Sequence, residues 1–248
     1  MSERSGRRRW WALGALAVGV LVVAVAAALV WEGVLWPNRL AADGYDVRGV
    51  DVSAYQGKID WPVLAAQDLD FAFIKATEGS SHVDERFAAS WAGAQETDLL
   101  VGAYHFLSFE SPGAGQAAHL IEQVPATPGT LPPVVDVEYY GDFAADPPSV
   151  TELRGILDPM LDALEEHYGA PPIIYTTQEV REVYLGAEYD RYPLWIRSVA
   201  LTPEVPRRVW EFWQYSDRDV LDGYAGEETH IDMNVFDGSL EDLRALAL

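Results

Sequence analysis

The chain has 248 residues and no cysteine, its formal net charge is −22 at pH 7, and 49 % of its residues are hydrophobic. The strong negative charge argues against nucleic acid as the main ligand. The lack of cysteine excludes disulfides and thiolate metal sites. A chain of this length and hydrophobic content buries one large core or two small ones.

The N-terminus predicts export. Four arginines lie within residues 1–9, and an uncharged run of 22 residues, Trp10–Trp31, follows them. Such a run is long enough to cross a bilayer as a helix, and the arginines would hold the N-terminus in the cytoplasm. We therefore predict a cytoplasmic basic segment over residues 1–9 and a single-pass membrane anchor over residues 10–31. A tether over 32–45 and an extracellular domain over 46–248 complete the prediction. The alternative is a cleaved signal peptide, which would make the domain secreted.

From Asp46 onward, short apolar segments bounded by turn residues predict eight β-strands. They are Val47–Ser53, Phe71–Thr77, Leu100–Leu107, Val134–Tyr139, Ile173–Thr176, Leu194–Ser198, Trp210–Tyr215 and Ile231–Phe236. Helical patterns separate the first five strands, at Trp61–Gln67, Asp84–Glu96, Gly115–Gln123 and Val150–Tyr168. This alternation predicts an α/β fold with parallel pairing, and eight strands in about 200 residues predict a closed barrel. The later connections are too short for full helices, so we expect an irregular second half.

The fourth predicted strand carries two carboxylates, Asp136 and Glu138. Side chains alternate along a strand, so both carboxylates point to the same side, with Cα atoms about 6.5–7 Å apart. Two like charges on a buried strand raise each other's pKa and are unfavourable for folding. Stability alone therefore does not explain why the sequence has the pair. Acid/base catalysis explains the pair, because it uses one protonated carboxyl beside an ionised one. The alternative is that both are solvated acids at a strand end.

Other acids lie at the ends of predicted strands, namely Asp51, Glu78 and Asp232. Functional groups of such a barrel gather where its strands end, and the first and last strands adjoin, so Asp51 and Asp232 are expected beside the pair. Aromatic residues fall in the same places: Tyr55, Tyr104, Tyr139, Tyr175, Trp195 and Trp213. Rings around an acidic cleft suit a sugar-binding groove, although they could instead fill the barrel. The histidines show no metal-binding spacing, so no metal and no other cofactor is predicted.

Seven segments, taken in order, resemble the family-25 glycoside hydrolases, the Chalaropsis-type lysozymes. They are Asp46–Gly57, Phe71–Gly79, Val101–Phe106, Pro133–Glu138, Pro172–Thr176, Phe212–Ser216 and Ile231–Phe236. The resemblance covers roughly Tyr45 to Leu246. It implies an irregular TIM-like barrel of five βα units followed by three strands. It also implies hydrolysis of the β-1,4 bond between N-acetylmuramic acid and N-acetylglucosamine in peptidoglycan.

The resemblance also implies roles for individual residues. Glu138 matches the general acid, and Asp136, Asp51 and Asp232 match the other catalytic acids. The residues expected to bind substrate are Tyr104, Tyr175, Trp195 and Gln214, to which we add Tyr139 beside Glu138. We expect Glu138 to keep its proton and Asp136 to stay ionised, positioning the 2-acetamido group of the sugar. Direct attack by Asp136 and an inverting water are the two other mechanisms that the sequence leaves open.

Two functions therefore remain. The first is a muramidase that acts as a monomer on peptidoglycan glycan strands, held at the membrane by its N-terminal helix. The second is a catalytically inactive wall-binding protein on the same scaffold; retention of all four acids favours the enzyme. Two further observations concern the cleft: Lys75 is expected to pair with Asp51 or Glu78, and Arg197-Ser198 stands where many relatives carry a small residue.

Overall fold

A computed structural model describes residues 3–31, 37–204 and 209–248. The chain divides into two compact units, Met1–Pro37 and Asn38–Leu248. Helix α1 (Glu3–Trp31) belongs to the first unit. Over the described residues, no helix has the length and apolar character that crossing a membrane requires, so the predicted anchor over residues 10–31 is not supported.

The second unit is a barrel. Its strands are β1 (Val47–Val52), β2 (Phe71–Glu78), β3 (His82–Val83), β4 (Leu100–Phe106), β5 (Val134–Val137), β6 (Ile173–Thr177), β7 (Leu194–Arg197), β8 (Phe212–Asp219) and β9 (Ile231–Phe236). All except β3 form a closed ring, because β1 pairs with both β2 and β9. Within this ring the pairings are parallel except those of β9, which runs antiparallel to β8 and β1. The predicted α/β class and eight-stranded barrel are confirmed.

The remaining helices are α2 (Pro37–Ala42), α3 (Trp61–Ala65), α4 (Phe87–Ala94), α5 (Gly113–Gln123), α6 (Val150–Tyr168), α7 (Gln178–Tyr184) and α8 (Leu240–Ala245). Helices α3 to α7 each connect two parallel strands of the ring. Five βα units are thus followed by β7, β8 and β9, as the resemblance implied. The helix α7 was not predicted from sequence, because its apolar pattern is short; the Thr177 side chain caps it by accepting from the Val180 amide.

The strands bury both of their faces, in alternation. Residues such as Ile74, Val135 and Val137 pack outward against the helices, whereas Phe71, Phe73 and Phe212 fill the barrel interior. The interior rings meet edge to face, with centroids 5.4–5.7 Å apart. Glycines make room for them: a Cβ at Gly49 would lie 2.4 Å from the Phe71 ring, and one at Gly102 would lie 2.5 Å from the Phe73 ring.

The barrel unit begins before the predicted boundary at Asp46. The buried Asn38 side chain donates hydrogen bonds to the carbonyl oxygens of Ser198 and Tyr215, at 2.7 and 3.1 Å. Ala42 is fully buried in the outer core. Residues 38–45, predicted as part of a tether, therefore pack on the barrel.

Candidate active site

The four predicted catalytic acids lie at one mouth of the barrel. Asp51 and Asp232 are directly paired across the antiparallel strands β1 and β9. Asp136 lies in β5, and Glu138 follows the last residue of that strand. All four acids line one cavity of about 250 Å³. Closure of the barrel thus gathers acids that are far apart in the sequence.

The carboxylate of Asp51 is held in place by hydrogen bonds. Its Oδ2 atom accepts hydrogen bonds from the Asn234 and Gln214 side-chain amides, at 2.7 and 3.0 Å. Burial raises the pKa of Asp51, while hydrogen bonds from Asn234, Gln214 and Asp232 oppose the rise. Burial and the neighbouring Asp51 charge raise the pKa of Asp232 well above its usual value. Asp51 is therefore the ionised member of this pair, and protonated Asp232 donates to it.

Further hydrogen bonds hold the two amides in place. The Tyr175 hydroxyl donates to Gln214 Oε1 at 2.9 Å, and the Trp195 indole donates to Asn234 Oδ1 at 2.8 Å. These contacts fix the amide orientations, so that both NH₂ groups face Asp51. The donors come from β6, β7, β8 and β9, which meet Asp51 only in the closed barrel.

Asp136 and Glu138 form the second acidic pair. Burial raises the pKa of Asp136 well above its usual value, and the charge of Glu138 raises it further. Burial also raises the pKa of Glu138, which is closer to the surface. In the ligand-free protein, burial therefore works against the expected ionised Asp136, because Asp136 is the more deeply buried carboxyl. Its Oδ1 atom is buried and accepts no hydrogen bond from the described residues.

Two cations flank this pair. Arg197, at the end of β7, lines the acid cavity and forms a salt bridge of 3.1 Å with Asp217. Lys75, on β2, forms a salt bridge of 2.7 Å with Glu78, one of its two predicted partners. Both cations lower the pKa of Glu138, against the effect of burial. They limit how far the carboxyl pair is neutralised.

The predicted substrate-binding residues do not all lie in the same place. Tyr104, Tyr175, Trp195 and Gln214 line the acid cavity. Tyr139 does not: its ring packs against Tyr184 of α7 at 6.1 Å and against the outer core. Strand alternation explains this difference, because a residue next to Glu138 points to the opposite side. Trp213 likewise lies in the outer core.

His105 is a structural residue. It is fully buried; its Nδ1 accepts from the Thr77 hydroxyl at 2.7 Å, and its Nε2 donates to Gln116 Oε1 at 3.0 Å. The tautomer follows from the network, since Gln116 Oε1 also accepts from the Ser108 amide and is therefore an oxygen facing donors. Burial lowers the pKa of His105 to about 4. A neutral imidazole with both nitrogens occupied holds the wall of the barrel and does not transfer protons.

The family model for Glycosyl hydrolases family 25 matches residues 50–224, which include three of the four acids. The chain belongs to this family. It is a glycoside hydrolase, and the lysozymes and muramidases among its relatives support action on peptidoglycan.

Individual relatives align with most of this family-25 chain. The uncharacterized protein YegX of Escherichia coli K12 is 37% identical over 207 residues, which are 81% of this chain and 73% of YegX. Lysozyme M1 of Streptomyces globisporus is 31% identical over 83% of this chain and 73% of its own. The structure of a family 25 glycosyl hydrolase from Bacillus anthracis superimposes with a TM-score of 0.78 at 45% identity, over 83% of this chain and 95% of that one.

Sequence reasoning missed two groups of this family-25 site. Asn234 was not singled out, although it follows Asp232 by two positions on β9 and so points into the same mouth. Arg197 was noted only as a departure from relatives, although it follows Trp195 by two positions on β7. In both cases period-two alternation from a residue already placed at the mouth was the available signal.

Proposed function

We propose that the barrel hydrolyses the β-1,4 bond between N-acetylmuramic acid and N-acetylglucosamine in peptidoglycan, with Glu138 as general acid and Asp136 as the group that holds the 2-acetamido substituent. The observation that carries this proposal is that Asp136 Oδ1, buried and without a hydrogen-bond partner among the described residues, lies in the same barrel mouth as Glu138. An unpartnered buried acceptor is costly in a free protein, and an amide N–H of a bound ligand relieves that cost.

The first step is proton delivery. The raised pKa of Glu138 keeps a fraction of its carboxyl groups protonated at higher pH than for an exposed glutamate, so Glu138 can protonate the glycosidic oxygen as the bond from C1 to that oxygen breaks. The acetamido carbonyl oxygen then bonds to C1 and forms an oxazolinium ring. Water opens this ring after losing a proton to the Glu138 carboxylate, and the product retains its configuration.

Asp136 changes its protonation state when substrate binds. In the free protein, burial and the charge of Glu138 favour neutral Asp136. A hydrogen bond from the acetamido N–H to Oδ1 favours the carboxylate, and the positive charge that develops on the acetamido group favours it further. Substrate binding thus moves the proton of the pair toward Glu138, where the reaction uses it.

Asp51 and Asp232 act from the other side of the mouth. Ionised Asp51 is held by Asn234 and Gln214, and its negative charge raises the pKa of Glu138. We assign to Asp51 and Asp232 the role of keeping Glu138 protonated and of stabilising the cationic transition state.

The test uses purified residues 38–248 and labelled peptidoglycan. New reducing ends should form with the native unit, and Glu138→Gln should reduce the rate by a factor of about 10²–10⁴ without a change in circular dichroism. The first product should retain its configuration, and a substrate with a free 2-amino group should not be cleaved. Tight sedimentation with peptidoglycan but no new ends would instead identify a wall-binding protein without catalytic activity.

Export and oligomeric state are separate proposals. Peptidoglycan lies outside the cytoplasmic membrane, so this substrate requires export, which we assign to residues 1–31 on the strength of their basic and uncharged pattern. All four acids come from one chain, so we propose a monomer. Cell fractionation shows whether full-length chain stays with membranes or a shortened chain enters the medium, and light scattering gives the mass.

A further inference from the structure

The acid cavity opens on one side into a larger depression. The cavity of about 250 Å³ shares all four acids and Tyr104 with a second cavity of about 390 Å³. This second cavity shares Tyr55 and Lys75 with a third, of about 900 Å³. The three volumes thus follow one another from the barrel mouth across the ends of β1 and β2. We call the third the Tyr55 groove, lined among others by Tyr55, Lys58, Arg86 and Glu227.

Tyr55 stands where the groove meets the acids, and its ring is exposed. The residue is 68% accessible, and among the described residues no Phe, Trp or other Tyr lines the groove. No described aromatic ring packs against it. Single exposed apolar side chains are ordinary on a protein surface, so exposure alone assigns no role. The position of Tyr55 and the rigidity of its backbone are the informative features.

The backbone that carries this ring is fixed at several points. The Ala54 amide donates to the buried Asp84 carboxylate at 2.9 Å, and the Glu228 amide donates to the Tyr55 carbonyl at 3.1 Å. Gly226 packs so closely that a Cβ there would lie 2.0 Å from the Tyr55 carbonyl oxygen. A rigid backbone presenting an exposed ring loses little conformational entropy on binding.

The lining of the groove suits a ligand that is rich in hydroxyl groups. Acidic and basic side chains both face it, including Glu85, Glu227, Lys58 and Arg86. Carboxylates accept hydrogen bonds from sugar hydroxyls, and ammonium and guanidinium groups donate to them. An aromatic face beside such groups is the arrangement that binds a pyranose ring, whose C–H faces are apolar.

We propose that the Tyr55 groove binds the β-1,4-linked sugars that extend the glycan strand beyond the pair being cut, with one pyranose face stacked on Tyr55. This inference rests on the proposed function and extends it from the bond cleaved to the length of strand preferred. The groove holds more than twice the volume of the 390 Å³ acid-lined cavity beside it, so it has room for further sugars on the side of β1 and β2. The enzyme should therefore prefer long strands to short fragments.

The test compares a peptidoglycan octasaccharide with a tetrasaccharide. Tyr55→Ala should raise KM for the octasaccharide by about tenfold, the loss typical of an aromatic contact residue, while the KM for the tetrasaccharide rises much less. The kcat values for the two substrates should change by less than about twofold, because Tyr55 does not line the 250 Å³ acid cavity itself. Tyr55→Trp keeps a stacking face and should keep the preference for the longer substrate.

Val220→Ala is the matched control, since Val220 is also 68% exposed and lines none of the three cavities. Equal KM changes for both lengths, or none in Tyr55→Ala, would overturn the proposal. If the native unit cuts neither substrate, the proposed function fails, and binding measured by calorimetry decides about the groove. Weaker octasaccharide binding by Tyr55→Ala then supports the groove, and equal binding overturns it. Thermal melts identify a misfolded variant, in which case Tyr55→Leu repeats the comparison.

Discussion

The inner faces of the barrel strands differ sharply between two levels. Deep in the barrel they carry Phe71, Phe73 and Phe212; two positions further along β2 and β8 they carry Lys75 and Gln214. On β5 the same step leads from Val134 to Asp136. One strand thus contributes to the core and to the site within a few residues. The core level stabilises the fold, while the mouth level contains buried acids whose ionisation opposes folding.

The energetic signs at the two levels are opposite. Each fully buried ring in the core contributes about 1.5–3 kcal/mol of favourable apolar burial. At the mouth, burial raises the pKa values of Asp136 and Asp232 well above their usual range, which means that the folded protein disfavours the charged forms. Core substitutions should therefore reduce stability and leave the chemistry, whereas removing the ionisable group of Asp136 should raise stability and reduce activity.

The largest expected stability effect is that of Phe71→Ala. This ring is fully buried and packs against Phe73 and Phe212, so its removal leaves a cavity and should cost about 3–5 kcal/mol. Denaturant unfolding measures the loss. Below the unfolding transition, kcat/KM per folded molecule should stay within about twofold of the native value. A loss of kcat/KM larger than this in the folded variant would show that the core ring also shapes the mouth.

A smaller effect distinguishes the two paired acids at the mouth. Asp51→Asn removes the charge toward which Asn234 and Gln214 donate, and places an NH₂ donor where Asp51 accepts from protonated Asp232. We expect a loss of about 1–3 kcal/mol. Asp232→Asn should be nearly neutral for stability, because an amide donates to Asp51 as the protonated acid does. Equal losses in thermal melts of the two variants would contradict the assigned protonation states. Both variants should turn over slowly.

The smallest effect concerns Arg197. Its charge lowers the pKa of Glu138, so Arg197→Gln should raise that pKa further. A general acid with a higher pKa stays protonated to higher pH, and the alkaline limb of the kcat/KM profile should move upward. Arg197→Lys, which keeps the charge, should leave the limb near its native position. A downward shift in the glutamine variant would show that Arg197 does not act on Glu138 through its charge.

The sequence predicted the strands and the side to which their residues point well, because these depend on local patterns. Period-two alternation placed Asp136 and Glu138 on one side, and the order of strands and helices predicted a closed barrel. The same alternation, applied one residue further, would have turned Tyr139 outward. Asn234 and Arg197 were available from the same rule.

The mouth level was less predictable, because its properties arise from closure of the barrel. The donors to Asp51 come from strands that are remote in the sequence, and their orientations depend on Tyr175 and Trp195. The order of protonation of Asp136 and Glu138 depends on their relative burial, which alternation does not give. Short elements such as α7 depend on a single cap and on packing against β6 and α6. Their apolar pattern is too short to predict a helix from the sequence.

Asp136→Asn provides the most direct test of the difference between the two levels. The pKa of Asp136 is raised in the folded protein above its ordinary value of 3.8, so ionisation of the native carboxyl destabilises the fold increasingly as pH rises above that value. At pH 7 the amide should raise the melting temperature by about 2–4 °C or more, the shift that 1 kcal/mol gives in a domain of this size, and this gain should vanish near pH 3. Cleavage of peptidoglycan by the same sample should fall by a factor of about 10² or more. A variant that melts lower at pH 7, or that still cleaves at the native rate, would contradict the account.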